Sequence, residues 1–215
     1  MTGESEASSA MTLFTDEEAK RIAGEIAAVE KRTSGEIVAV VAAESSTYLY
    51  APFLWAALVA LLVPWPFIYL TWWSVQWIYL LQLVVCALLV VAFWPRDVRM
   101  MLVPRKIKHQ RAHRRAVEQF LVQNLTTTVN RTGVLIFVSI AERYAEIIPD
   151  TGISAKLPPE SWQAIVDQLT SDIGDGNPAE GFIKAVHAVG EPLAKHFPPG
   201  SDHPPQLPNH LIVLE

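Results

Sequence analysis

The chain has 215 residues, 51% of them hydrophobic and 18% charged, with a formal net charge of −5 and a single cysteine, Cys86. One cysteine, set within an apolar run, excludes a disulfide framework and a Cys-based metal site. The mild net charge hides a segregation, because acidic residues gather near the N-terminus while Arg and Lys crowd residues 96–115.

Residues 1–10 are polar and acidic, with no basic region leading into an apolar run, so no cleaved signal peptide is expected. Residues 1–12 read as a disordered N-terminal segment. Thr15-Asp16-Glu17-Glu18 is a capping box, in which the Thr15 hydroxyl and the Glu18 carboxylate satisfy the first free amides of a helix. Ile22, Ile26 and Val29 follow at helical spacing, with Lys20, Glu25, Glu30 and Arg32 on the wet side. Thr33-Ser34-Gly35 is predicted to end this helix, Gly35 supplying the stop. Residues 36–42 are mostly β-branched and apolar, which predicts a strand buried on both faces.

No Asp, Glu, Lys or Arg occurs between Glu44 and Arg96. At about 20 residues per membrane span this interval holds two. A transmembrane hairpin is therefore predicted within residues 48–95: residues 52–70 cross, residues 71–76 turn, and residues 77–94 return. Tyr48, Tyr50, Trp55, Trp72, Trp73, Trp77, Tyr79 and Trp94 crowd the edges, where amphipathic rings meet the headgroups. Pro64 and Pro66 predict a kink in the first crossing. Eight basic residues follow the second crossing and none lies in the turn, so the positive-inside rule places both termini in the cytoplasm. In a bacterium this means the inner membrane, crossed twice. Arg96, Arg99, Arg105, Lys106, Lys108 and Arg111 are the candidates for contact with anionic lipid headgroups, each charge being attracted by about 1 kcal/mol near the surface.

Past the hairpin, residues 106–125 resume helical periodicity around Ala112, Ala116, Phe120 and Leu121. Residues 133–139 give the strongest strand signal in the chain, and residues 144–149 alternate as a second strand, so a hairpin joins them. Asp150-Thr151-Gly152 reads as a turn. Two helices follow, one after Pro158-Pro159 with Trp162, Ile165, Val166 and Leu169 inward, one opened by Pro178. A Pro-rich tail, residues 198–215, ends in the apolar run Leu211-Ile212-Val213-Leu214, which is expected to dock. The first strand reaches the second through a helix, which makes that pair parallel. The fold class is thus α/β, a small mixed sheet flanked by helices. One domain, residues 13–47 and 100–197, is interrupted by the hairpin and held close to the membrane surface.

Thr33-Ser34-Gly35-Glu36-Ile37-Val38-Ala39-Val40-Val41 resembles the opening strand motif of TPM domains. Residues 132–139, with Glu142-Arg143-Tyr144-Ala145-Glu146-Ile147-Ile148, resemble their central hairpin. The likeness extends over nearly all of the soluble portion, and the tail is similar to that of a membrane-embedded bacterial branch. The resemblance implies a small α/β sandwich, with divalent-metal binding and weak phosphatase activity in some members, one of them a thylakoid-lumen acid phosphatase. This chain departs from the pattern at Asp150, where many members have Gly, and in its inserted hairpin.

Glu36, Glu142 and Asp150 fall at strand ends, and gathered at one rim they would suit a hard cation such as Ca2+ or Mg2+, which prefers oxygen ligands. The alternative reading pairs Glu142 with Arg143 or a neighbouring base at a tight turn and leaves Glu36 facing solvent. The loop Asp172, Asp175, Asn177 lacks the spacing of a twelve-residue calcium loop. His109 and His113 share a helix face but sit in a basic run, which disfavours a cation. No nucleophile elbow or phosphate-binding glycine loop is present, and no aromatic platform accompanies the basic run, so nucleic acid is not an expected partner. Two functions stand side by side. One is a binding or accessory module for a membrane protein complex, its apolar spans packing against other transmembrane helices or copies of itself. The other is a metal-dependent phosphatase-like hydrolase at the cytoplasmic surface.

Overall fold

The structure, a computed structural model, describes residues 14–46, 48–199 and 211–214. The segment 1–12, most of the 198–215 tail, and His203 and His210 lie outside the described residues. The chain divides into two units, residues 1–45 with 109–215 and residues 46–108.

The first unit is built on a four-stranded sheet. Its strands are β1 (Glu36–Ala42), β2 (Gly133–Ser139), β3 (Tyr144–Pro149) and β4 (Leu211–Leu214), in the order β3-β2-β1-β4. β1 runs parallel to β2 and to β4, and β3 is antiparallel to β2. All seven residues of β1 and of β2 are buried. That is why both read as unbroken apolar runs: helices cover both faces, so neither face has to be polar. The C-terminal run that sequence expects to dock does so as β4, pairing Ala39 with Leu211 and Ala42 with Leu214.

One face of the sheet carries the helices α1 (Asp16–Glu30), α8 (Glu160–Gly174) and α9 (Pro178–His196). Ile37, Ala39 and Val41 of β1 and Val134, Ile136 and Val138 of β2 point into this larger core, against Ile22, Ile26, Phe182, Val186 and Leu193. The opposite face packs Val38, Val40, Leu135 and Phe137 against Ala116 and Phe120 of α6 (Arg105–Val122). α6 starts one residue before the predicted span and ends three residues short of it. Asn124 then takes a left-handed conformation, φ 56°, that ends helical geometry. α9 runs through Pro192 without ending.

Of two local expectations for the first helix, one holds and one changes. The capping box forms as read, with the Glu18 amide donating to the Thr15 hydroxyl at 3.2 Å and the Thr15 amide donating to the Glu18 carboxylate at 2.7 Å. The helix stops at Glu30, however, five residues before Gly35, and the Glu30 carboxylate accepts the Ile37 amide at 2.8 Å. Gly35 is instead a close-approach site, where a Cβ would lie 3.1 Å from Leu193. The Thr15 amide, then its hydroxyl, holds the Glu18 carboxyl below the usual Glu value. Its contribution is complete above that ordinary value and is lost as pH falls through the depressed one. Between about pH 5 and pH 3, the melting temperature of the wild-type chain is therefore expected to fall more steeply than that of Glu18→Gln, as read by circular dichroism.

The second unit holds α2 (Tyr50–Leu62), α3 (Pro64–Leu70), α4 (Val75–Ala92) and α5 (Arg96–Leu102). Tyr50–Leu70 and Val75–Ala92 are long and apolar enough to cross a membrane, and of the 18-residue apolar window in each only 11% and 6% is buried. The predicted kink falls at Val63, whose amide turns to Ala60 at 3.2 Å just before Pro64 and Pro66 remove two donors. Ala51, Pro52, Ala56, Ala60 and Ile78 are the buried positions of these helices, and the three alanines are small enough to let backbones approach closely. Phe53 meets Trp94 edge-on, and the Trp55 indole donates to the Leu102 carbonyl at 3.0 Å. α5 is a helix that sequence periodicity does not reveal, because it is only seven residues long and is cut off before Pro104.

Candidate functional site

Parallel pairing decides where the predicted carboxylates lie. Glu36 pairs with Gly133 at the start of β1 and β2, whereas Glu142 follows Ser139 at the end of β2. They therefore occupy opposite rims of the sheet, about 20 Å apart along a seven-residue strand. Asp150 returns to the Glu36 rim, its amide donating to the Gly133 carbonyl at 2.8 Å. Glu36 and Asp150 thus flank β2, about two strand spacings from each other. Leu125 packs over Gly133, the β2 residue in register with Glu36: a Cβ built on Gly133 would lie 2.8 Å from its Cδ2.

The three-carboxylate cation site is consequently not assembled. Asp150 is 4% exposed and spends one oxygen on the Thr151 amide at 2.6 Å, capping the one-turn helix α7 (Thr151–Ser154) that replaces the predicted turn. Its other oxygen lies 4.0 Å from the Arg131 guanidinium. Glu36 is buried, not solvent-facing. With Glu142 on the far rim, it cannot share one cation with Glu36 and Asp150. Among the described residues no other group of three or more His, Cys, Asp or Glu side chains is placed to hold a metal.

Glu142 has a defined local role. It is 3% exposed, accepts the Ser45 amide at 3.0 Å, and accepts the hydroxyl of Ser139, which in turn accepts from the Ser45 hydroxyl at 2.7 Å. The cluster ties the β2–β3 turn to the end of β1, at the last residue of the α/β unit before the apolar segment. Ser139 is fully buried and donates into Glu142, so its hydroxyl is not presented to a substrate. The loop acid Asp172 is likewise committed, to Lys184 at 3.0 Å and Gln168 at 3.1 Å.

The open site lies elsewhere. A cavity of about 530 Å³ runs beside β3, walled by Tyr144, Glu146 and Ile147 of the strand and by Trp162, Val166 and Thr170 of α8. Glu146 accepts from the Tyr144 hydroxyl at 2.9 Å and pairs with His113 Nδ1 at 2.9 Å. Burial first, then the Glu146 charge, pushes the Tyr144 phenol well above its ordinary value, so it remains a donor. The His109 ring lies against the Tyr144 ring, centroids 5.2 Å apart and planes tilted by 53°. The two histidines that sequence places in a basic run thus find an acid and an aromatic ring on β3. The signal for this was available: Tyr144 and Glu146 share a strand face, and His109 and His113 share a helix face one turn apart.

The basic residues lie on α5 and α6. Arg105 and Lys106 are exposed, Lys108 donates to the Met100 carbonyl at 3.2 Å, and Arg99 and Arg111 are half-buried. The Arg96 side chain lies outside what the structure describes.

A four-stranded mixed sheet with this hairpin and these flanking helices now stands beside known proteins. Residues 96–191 match the TPM domain. The matched TPM segment carries β2, β3 and the helices α5 to α8 with most of α9, while β1 and β4 complete the sheet from outside it. The fold is similar to the NMR structure of the BA42 protein from the psychrophilic bacterium Bizionia argentinensis. The TM-score is 0.59 at 20% identity, covering 93% of this chain and 94% of that one. No curated protein matches the chain.

Proposed function

We propose that this chain is a bacterial inner-membrane protein whose α/β unit serves as a binding or accessory module for a membrane protein complex. The observation that carries this reading is the segment between β1 and β2, two apolar helical stretches of 21 and 18 residues in which few residues are buried. A soluble core would cover that surface, and a bilayer accepts it without cost. Leu61, Leu62, Leu83 and Leu88 are each more than three-fifths exposed, which leaves them free for lipid or for other transmembrane helices. The basic residues of α5 and α6 follow the second helix directly, so both termini face the cytoplasm and anionic headgroups are the nearest counter-charges. The carboxylates available to a hydrolase are separated or engaged in capping and turn contacts, which favours binding over catalysis.

The test is extraction and activity on the same preparation. Alkaline carbonate is expected to leave the chain in the membrane pellet while detergent releases it. Purified protein supplied with Mg2+ or Ca2+ is expected to leave a generic phosphate ester intact. Release by carbonate would remove the membrane reading. Hydrolysis that Glu142→Gln and Asp150→Asn abolish would replace the binding module with an enzyme.

A further inference from the structure

β3 is an edge strand with half of its backbone unused. The Asp150 amide donates to the Gly133 carbonyl, which fixes the alternation of the antiparallel ladder. Tyr144, Glu146 and Ile148 therefore turn their amides and carbonyls toward β2, and Ala145 and Ile147 turn theirs outward. Among the described residues no hydrogen bond reaches the outward groups of Ala145 or Ile147. Natural sheets commonly blunt such an edge with a lysine, a bulge or a covering segment. This edge instead borders the 530 Å³ cavity, and β3 residues of both orientations line it, so the opening follows the strand's backbone.

We propose that this edge binds an extended segment of another protein by strand addition, with an acidic group of that segment held by Arg143. This rests on the reading of the α/β unit as a binding module and names the chemistry of its partner. Strand addition takes its affinity from main-chain hydrogen bonds and its selectivity from pockets for alternate side chains. The outward donors and acceptors of Ala145 and Ile147 supply the first. The α8 wall supplies the second, and it includes Trp162, whose buried indole N–H has no acceptor among the described residues.

Charge selects the occupant. The one carboxylate lining the cavity among the described residues, Glu146, is engaged by His113 and Tyr144. Arg143 also lines it, exposed and with no carboxylate partner among the described residues. It sits in the left-handed region at φ 50°, where glycine or asparagine would be at ease. Arg143 stands at the start of β3, so a strand added antiparallel ends beside it. A second copy of this chain is a poorer occupant. The register that pairs Ala145 with Ile147 of the copy sets Glu146 opposite Glu146, and like charges directly opposed are unfavourable.

The experiment uses the full chain in lipid nanodiscs and two amidated peptides of alternating Thr and Val, one ending in Glu and its twin in Lys. The Glu peptide is expected to bind about tenfold more tightly than the Lys twin, and Arg143→Gly and Arg143→Gln to erase that preference without lowering the melting temperature. Amide exchange at Ala145 and Ile147 is expected to slow on binding, while Glu146 and Ile148, already bonded to β2, stay unchanged. Absence of binding, equal binding of the two peptides, or protection elsewhere overturns the proposal. So does protection of Ala145 and Ile147 by self-association before peptide is added. Carbonate extraction reads the membrane assignment separately, so either can fail alone.

Discussion

Replacing residues 48–95 with a Gly/Ser linker is expected to turn a chain that only detergent releases into one that stays in solution, with amide protection of β1 and β2 retained. The α/β unit holds its own two cores on either side of the sheet, and neither draws on the apolar segment. Each exposed Leu of that segment is worth about 1.5–3 kcal/mol on transfer from water, so removing both helices removes the drive to insert. A single charge tests the same point more gently. Leu83 lies at the middle of α4 and is 68% exposed. Leu83→Arg is expected to cost about 2.5–3.5 kcal/mol of insertion, roughly a hundredfold shift in the inserted fraction, measured by glycosylation mapping or carbonate extraction. An unchanged inserted fraction would mean that α4 does not reside in lipid.

Removing the Glu142 carboxylate is the second large effect expected. Glu142→Ala leaves the half-buried Ser45 amide without its acceptor and takes the partner of the fully buried Ser139 hydroxyl. The expected loss is about 2–4 kcal/mol in urea unfolding of the linker-joined α/β unit. Glu142→Gln keeps one carbonyl but turns an NH2 toward one of the two donors, and about 1–2 kcal/mol is expected there. A catalytic Glu142 would behave in the opposite way, with activity lost and stability little changed in the Gln variant.

Much of this architecture was legible from local pattern. The buried runs 36–42 and 133–139 gave both central strands, the intervening helix gave their parallel pairing, and Thr15 with Glu18 gave the first cap. The apolar helices start two residues earlier than predicted, at Tyr50 and Val75, because Tyr50 and Gln76 continue the helices despite their polar atoms. The misplaced element was the acid site. Strand-end position was read without asking which end, yet parallel pairing already sends a residue that opens β1 and one that closes β2 to opposite rims. The packing of Leu125 over Gly133 was out of reach, since it depends on a short 3-10 turn folding back. The groove was missed for a related reason. An edge strand is an edge only by its absent neighbour, and sheet order is not written in periodicity. β4, placed beside β1 and not beside β3, is what leaves β3 open.

The parallel register of β1 with β2 also sets a schedule. A ribosome that has finished β1 must add about ninety more residues, both greasy helices among them, before the pairing partner exists. At about 5–20 residues per second that is some 5–20 s during which seven consecutive strand-forming residues wait with nothing to pair against. Strand β1 in this interval is a natural client for a holding chaperone, and slowing translation before codon 133 would be the simplest way to lengthen its exposure.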